Sequence, residues 1–143
     1  MEILIVDVNV VISSLLNEGI PFKVFFLNSL INKFILVAPE FLLSEFEKHE
    51  KDLIRETNFS EEEFKEIKDF IFEQITFIPY SEFLEFLPKA EELLKQHEKD
   101  APYVALSLKI ESPIFSGDKI LKKIIPERVL SPREVFDIFI KNP

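Results

Sequence analysis

Six aspartates stand among twenty glutamates in this chain: Asp7, Asp52, Asp69, Asp100, Asp118 and Asp137. Three of them fall at junctions between elements. Asp7 ends the apolar run "EILIV", residues 2 to 6. Asp118 follows Pro113-Ile114-Phe115 by way of Ser116-Gly117 and precedes Lys119-Ile120-Leu121. Asp100 opens the segment that begins Ala101-Pro102. Carboxylates are hard oxygen donors, the ligands that Mg²⁺ and Mn²⁺ prefer. Three or four of them gathered without a cation repel one another strongly, so a shared location for these acids implies a divalent metal. Each acid also has a plainer reading. Asp118 and Asp100 precede helices, where Asp is a favoured N-cap. Asp7 resists that reading, because a charge at the end of a buried strand needs a partner or a cation.

Glu45 is the candidate fourth acid. It lies three residues after Leu42 and one before Phe46, on the margin of an apolar helical stripe. Glu50 lies near the same margin, and periodicity leaves both open. Asn9, two residues after Asp7, is a candidate cap for a short helix. His49 and His97 sit among charged residues and read as exposed. No histidine or cysteine nucleophile is well placed, and the chain holds no cysteine.

The elements that must position these acids are legible as alternating strands and helices. Strands are expected at residues 2–6, 34–37, 75–78, 113–115 and 128–130. Helices are expected over 10–16, 21–32, 39–56 (with Pro39 in the first turn), 61–73, 81–96 (interrupted or restarted near Pro88) and 101–109. Two more are expected over 118–125 and after Ser131-Pro132. Ser60 and Glu63 form a capping-box pattern. The 101–109 helix is expected to pack a stripe of Ala101, Val104, Ala105 and Leu108 on the sheet. Strand–helix alternation implies an α/β fold with a parallel sheet covered on both faces. In such sheets ligands bind beyond the carboxyl ends of the strands, where the strand order reverses. Asp7 and Asp118 share one crevice if the first and fourth strands are neighbours there.

Composition sets bounds. With 143 residues, 47% hydrophobic and sixteen Phe, the chain is most simply one folded domain, residues 1–143. The Phe-rich helices read as core. No apolar stretch reaches the ~18 residues of a membrane span. The start lacks a basic region, so a cytoplasmic location with no membrane partner is the expectation. Lys outnumbers Arg 14 to 3, and this Glu/Lys surface resembles a thermophile's. Two glycines leave no Gly-rich phosphate loop. The net charge of −9 argues against a general nucleic-acid binder. Lys119, Lys122 and Lys123 are the nearest cations to the acids and either meet phosphate or form a solvated helix face.

Together, "LIVDVNVVISSLL", Glu45 in "PEFLLSEF", Asp100 in "KDAPYVALSLK" and Asp118 in "PIFSGDKIL" resemble a PIN domain, over essentially the whole chain. The resemblance implies a three-layer α/β/α sandwich with a five-stranded parallel sheet ordered 3-2-1-4-5. It implies a ribonuclease dependent on Mg²⁺ or Mn²⁺, with Asp7, Glu45, Asp100 and Asp118 as catalytic metal ligands and Asn9 and Ser116 as polar supports. Many small members are VapC-like toxins, which implies an RNA substrate, an antitoxin protein and a homodimer. Many members carry a further Asp after the last acid; here Lys119, Ile120 and Leu121 follow Asp118. A haloacid-dehalogenase-like phosphatase would show Asp-x-Asp, and Asn9 stands at the third position. A response-regulator receiver would show an adjacent acidic pair, which Asp7 lacks. The competing reading is a non-catalytic PIN-like RNA- or protein-binding module with a vestigial acidic site.

Overall fold

Leu4, Ile5 and Val6 are fully buried, and all lie in strand β1, Glu2–Val6. Side chains on both faces of this strand are covered. That is why it reads as an unbroken apolar run rather than an alternation. The computed structural model describes residues 2–141. In it β1 pairs in parallel with β2 (Phe34–Pro39) on one side and β4 (Ile114–Phe115) on the other. The outer strands are β3 (Ile75–Ile78) and β5 (Val129–Leu130). The order is β3-β2-β1-β4-β5, so this is the expected α/β sheet with the expected strand order.

The connections follow from that order. The chain moves outward from β1 to β2 to β3 through α1 (Val8–Leu16), α2 (Ile20–Ile31), α3 (Phe41–Glu56) and α4 (Glu61–Glu73). It then returns to β4, beside β1, through α5 (Leu87–Leu94) and α6 (Ala101–Ile110), and reaches β5 through α7 (Lys119–Ile124). Right-handed crossovers in opposite directions place their helices on opposite faces. Accordingly α1 packs on α2, α3 and α4, and α2 packs on the final helix α8 (Pro132–Lys141). On the other face α6 lies on β1, β2 and β4, with α5 between it and α7. The direction of winding reverses between β1 and β4, whose last residues Val6 and Phe115 are register partners.

Four local expectations are corrected. Pro39 is the last residue of β2, not the first turn of a helix. It can close the strand because the next residue, Glu40, supplies the N–H that bonds Ile78 O at 3.0 Å, so no donor is missed. The segment 81–96 restarts near Pro88 as expected, but the part before the restart is not α-helical. Two short 3₁₀ turns, Tyr80–Glu82 and Leu84–Phe86, flank the buried Phe83, and α5 starts only at Leu87, with Pro88 in its first turn. The first helix starts at Val8, with Asp7 as its N-cap residue, so Asn9 lies inside it. Helix α6 buries far more than a stripe: Tyr103, Leu106 and Ser107 are buried as well as Ala101, Val104 and Ala105. It is covered by the sheet on one side and by α5 on the other, and of its residues only Lys109 is exposed. Among the described residues no single helix is long and apolar enough to cross a membrane. Helices α1 and α2 pass together only as a pair bent through 101°, and both bury residues in the core.

Asn28 ties α2 to the start of β2. Its Nδ2 donates to Phe34 O at 3.1 Å and its Oδ1 accepts from Phe34 N at 2.9 Å, in a buried setting. The side-chain amide thus pairs like an extra ladder rung. Asn28→Ala strands a buried donor and a buried acceptor, each costing about 1–3 kcal/mol. We expect a loss of about 2–4 kcal/mol in urea unfolding with the denaturant slope unchanged. A loss below about 1 kcal/mol would show that the amide does not hold this junction.

Candidate functional site

The ends of β1 and β4 deliver a carboxylate and a hydroxyl to one point. Asp7, the residue after β1, is 3% exposed. Ser116, the residue after β4, donates from Oγ to Asp7 Oδ2 at 2.6 Å. Asn9, the second residue of α1, donates from Nδ2 to the same Oδ2 at 3.3 Å and to Ser116 Oγ at 3.2 Å. Its Oδ1 accepts from Gly117 N at 3.0 Å. Ser116 Oγ in turn accepts from Asp118 N at 3.0 Å. The Asp7, Asn9 and Ser116 side chains and the Gly117–Asp118 backbone therefore form one network. Both side-chain hydrogen bonds to Asp7 end on Oδ2, which leaves Oδ1 for another partner.

Asp118 does cap its helix. Its Oδ1 accepts from Ile120 N at 2.9 Å and Leu121 N at 3.1 Å. Both bonds use one oxygen, so capping and presenting Oδ2 to a second group are compatible. Asp100, at the N-cap of α6, makes no such cap bond. It is 7% exposed.

Glu45 and Glu50 are resolved by their partners. Glu50 pairs with Lys68 at 2.5 Å on the outer side of α3. Glu45 Oε1 accepts from the phenol of Tyr103 at 2.6 Å. Tyr103 has no exposed surface, and its ring packs edge-on against Phe41 with centroids 5.9 Å apart. It is the site residue that sequence reasoning missed. In "DAPYVALSL" it reads as one more core residue, and its only signal is its place one turn after Asp100.

Electrostatics joins the four acids. Burial pushes the Asp7 carboxyl up to about 7; the Ser116 hydrogen bond opposes this, and the charges of Asp100 and Glu45 add to it. Asp100 is pushed up to about 6 by burial and then by the Asp118 charge, with Lys99 opposing and Glu45 adding. His97, expected to be exposed, is half-buried and also pulls Asp100 downward. Burial, the Asp7 charge and the bond to Glu45 push the Tyr103 phenol far up, so it stays a neutral donor. Among the described residues no three His, Cys, Asp or Glu side chains form a ready-made metal cage. The donor set still fits a hard divalent cation: four carboxylates repel at one edge, and Asp7, Asp118 and Glu45 each hold one oxygen to the protein and keep the other.

The basic residues divide. Lys122 donates to Val129 O at 2.6 Å and pairs with Glu134 Oε1 at 2.9 Å, so it is engaged in the fold. Lys119 lines a cleft with Gly117, Asp118, Ser131 and Arg133. Lys123 faces a different groove, with His97 and Ile120.

A family model described as PIN domain matches residues 5–125. No curated protein matches the chain.

The raised carboxyls set the pH dependence of folding. Between about pH 4 and pH 7 the folded state keeps protons on Asp7 and Asp100 that the unfolded chain has lost, so stability falls as pH rises. Glu63 and Glu134, held low by bonds to the Ser60 and Ser131 backbone, act only at more acid pH. Without divalent metal, Asp7→Asn is expected to be more stable than wild type at pH 8, on the order of 3 kcal/mol, and nearly equal to it at pH 4. Parallel melting curves at both pH values would refute this.

Proposed function

Since the chain belongs to the PIN domain family, a family of nucleases, we propose that the acidic edge is the active site of a metal-dependent endoribonuclease. The observation that carries this reading is the buried Asp7 at the reversal point of the sheet, tied through one oxygen and pressed by the charges of Asp100 and Glu45. A carboxylate so placed costs stability unless a cation meets it. Asp7, Asp100 and Asp118 would hold Mg²⁺ or Mn²⁺, with Glu45 completing the ligation directly or through water. When bound, the metal supplies Lewis acidity toward water and phosphate oxygen.

The chain's own residues do the positioning. Ser116 and Asn9 fix the Asp7 carboxylate, and because Ser116 also takes the Asp118 N–H, the two acids keep their relative placement. Tyr103 holds Glu45 through a neutral phenol, which adds no charge to the cluster. The homodimer, the antitoxin and a toxin role belong to the same proposal, as implied by the family. The alternative is a non-catalytic RNA- or protein-binding module; the open arrangement of the acids is what favours it.

Asp118→Asn separates the readings cleanly. Asn caps a helix as well as Asp does, so the fold is kept while a charge is lost. We expect the variant, like Asp7→Asn, to lose at least about 100-fold in RNA cleavage, and Mn²⁺ binding by calorimetry to weaken with it. Tyr103→Phe should weaken Mn²⁺ binding by about 10–100-fold, the usual effect of removing a group that orients a ligand. Undiminished cleavage by purified Asp118→Asn would sink the nuclease assignment, and equal Mn²⁺ binding in all proteins would move the binding-module reading to first place.

A further inference from the structure

A groove of about 520 Å³ lies between the end of α5 and helix α7, lined by Leu93, Lys95, His97, Ile120, Lys123 and Ile124 among others. It begins at the acidic edge. Ile120 on one wall donates its N–H to Asp118 Oδ1 at 2.9 Å. On the other wall, His97 O accepts from Asp100 N at 3.3 Å, and the His97 side chain acts on the Asp100 charge. Both walls are therefore continuous with acid-bearing segments.

The charge of its lining sets this groove apart on a chain of net charge −9. Its lining carries Lys95, His97 and Lys123 and no carboxylate, whereas the clefts at Glu50 and Asp69, at Glu111 and Glu127, and at Glu134 and Asp137 all bear acids. Lys95 has φ 55° and ψ −107°, the region of the first central residue of a type II′ turn, where glycine is at home. Lys95 ends α5 as its C-cap residue, and Asn32 and Glu111 end α2 and α6 with φ likewise positive, so the conformation belongs to the helix terminus and a glycine there would relieve it.

We propose that this groove carries a single-stranded polynucleotide away from the acidic site, with Lys95 and Lys123 on its phosphates and Leu93, Ile120 and Ile124 beneath its bases. The proposal rests on the nuclease reading and extends it to the path of the substrate. Alternating cationic and apolar lining suits a strand whose bases are unpaired, since a duplex offers such a wall only phosphates. Ile120 is 53% exposed, an apolar surface beside Asp118 that a base would cover.

The test is fluorescence anisotropy with a 5′-fluorescein twelve-nucleotide oligouridylate, without divalent cation so that nothing is cut, across a salt series. The groove variant is Lys95→Gly with Lys123→Ala; the control is Lys23→Ala with Lys51→Ala, both exposed on other helices. We expect the groove variant to bind more weakly, with a salt slope shallower by about 1.4, two phosphates at about 0.7 each on a single strand. Lys95→Gly alone should melt higher than wild type while binding less, which separates strand contact from loss of fold. In Mn²⁺ the groove variant should cleave with raised KM and little change in kcat. A wild-type slope in the groove variant, an equal loss in the control, or no binding by wild type would each overturn the proposal. If wild type then still cuts RNA and Asp7→Asn does not, the nuclease reading stands without this groove. If wild type does not cut, the nuclease reading itself has failed.

Discussion

The hydrogen bond from Ser116 to Asp7 is the contact on which the site depends. It joins the residue after β1 to the residue after β4, separated by more than a hundred positions in the chain. Both strands are buried, so their ends cannot drift: the Asp7 N–H is itself held by Phe115 O at 3.1 Å, and the Ser116 N–H by Leu130 O at 3.1 Å. A charge at such a point would be costly alone. Asn9 and Ser116 lower that cost without neutralising the charge, which is the condition a cation ligand requires. The same serine takes the Asp118 N–H, so the geometry of one acid is passed to the next.

The sheet explains why the acids meet at all. Outward winding to β3 and return to β4 open a crevice only between β1 and β4. Helix α6 enters β4 from the opposite face and runs antiparallel to it, so its N-terminal end, with Asp100, lies at the same edge. Helix α3 leaves the neighbouring β2 and carries Glu45 one turn in, where Tyr103 of α6 meets it. Four acids from four segments are gathered by two topological facts, the reversal and the parallel strands. The aromatic contact of Phe41 with Tyr103 closes the edge on the side of α3 and α6.

The parts of this arrangement that obey local rules were legible in the sequence. Apolar runs ending in a polar residue marked β1 and β4, and Ser60 with Glu63 marked the start of α4, where both capping bonds form. Asp7 stood out because a charge at a buried strand end needs an explanation, whereas Asn9 and Ser116 were marked as its supports only by the family resemblance. The parts that failed depend on tertiary contact. Pro39 satisfies both a helix start and a strand end, and only pairing with β3 decides between them. The stretch before α5 has helical composition, yet Phe83 is drawn into the core and breaks it into 3₁₀ turns. Glu45 and Glu50 are equivalent by periodicity and differ only in which neighbour reaches them. Tyr103 was hidden because a phenol in a buried helix looks like core until its partner is known.

Net charge is a sum that says nothing of how the charges are distributed over this surface. The −9 is a sum over a Glu/Lys surface in which several lysines already face glutamates. Four of the acids counted in it stand at one edge, where Asp7 and Asp100 are pushed toward neutrality by burial and by neighbouring acids. A divalent cation bound there would offset part of that negative charge and present its own positive charge to phosphate. What decides affinity for a polyanion is therefore the local set: cations that no carboxylate has claimed, next to acids that a metal can neutralise. An acidic protein can meet a polyanion when the negative charge nearest the phosphate is the part that binds metal.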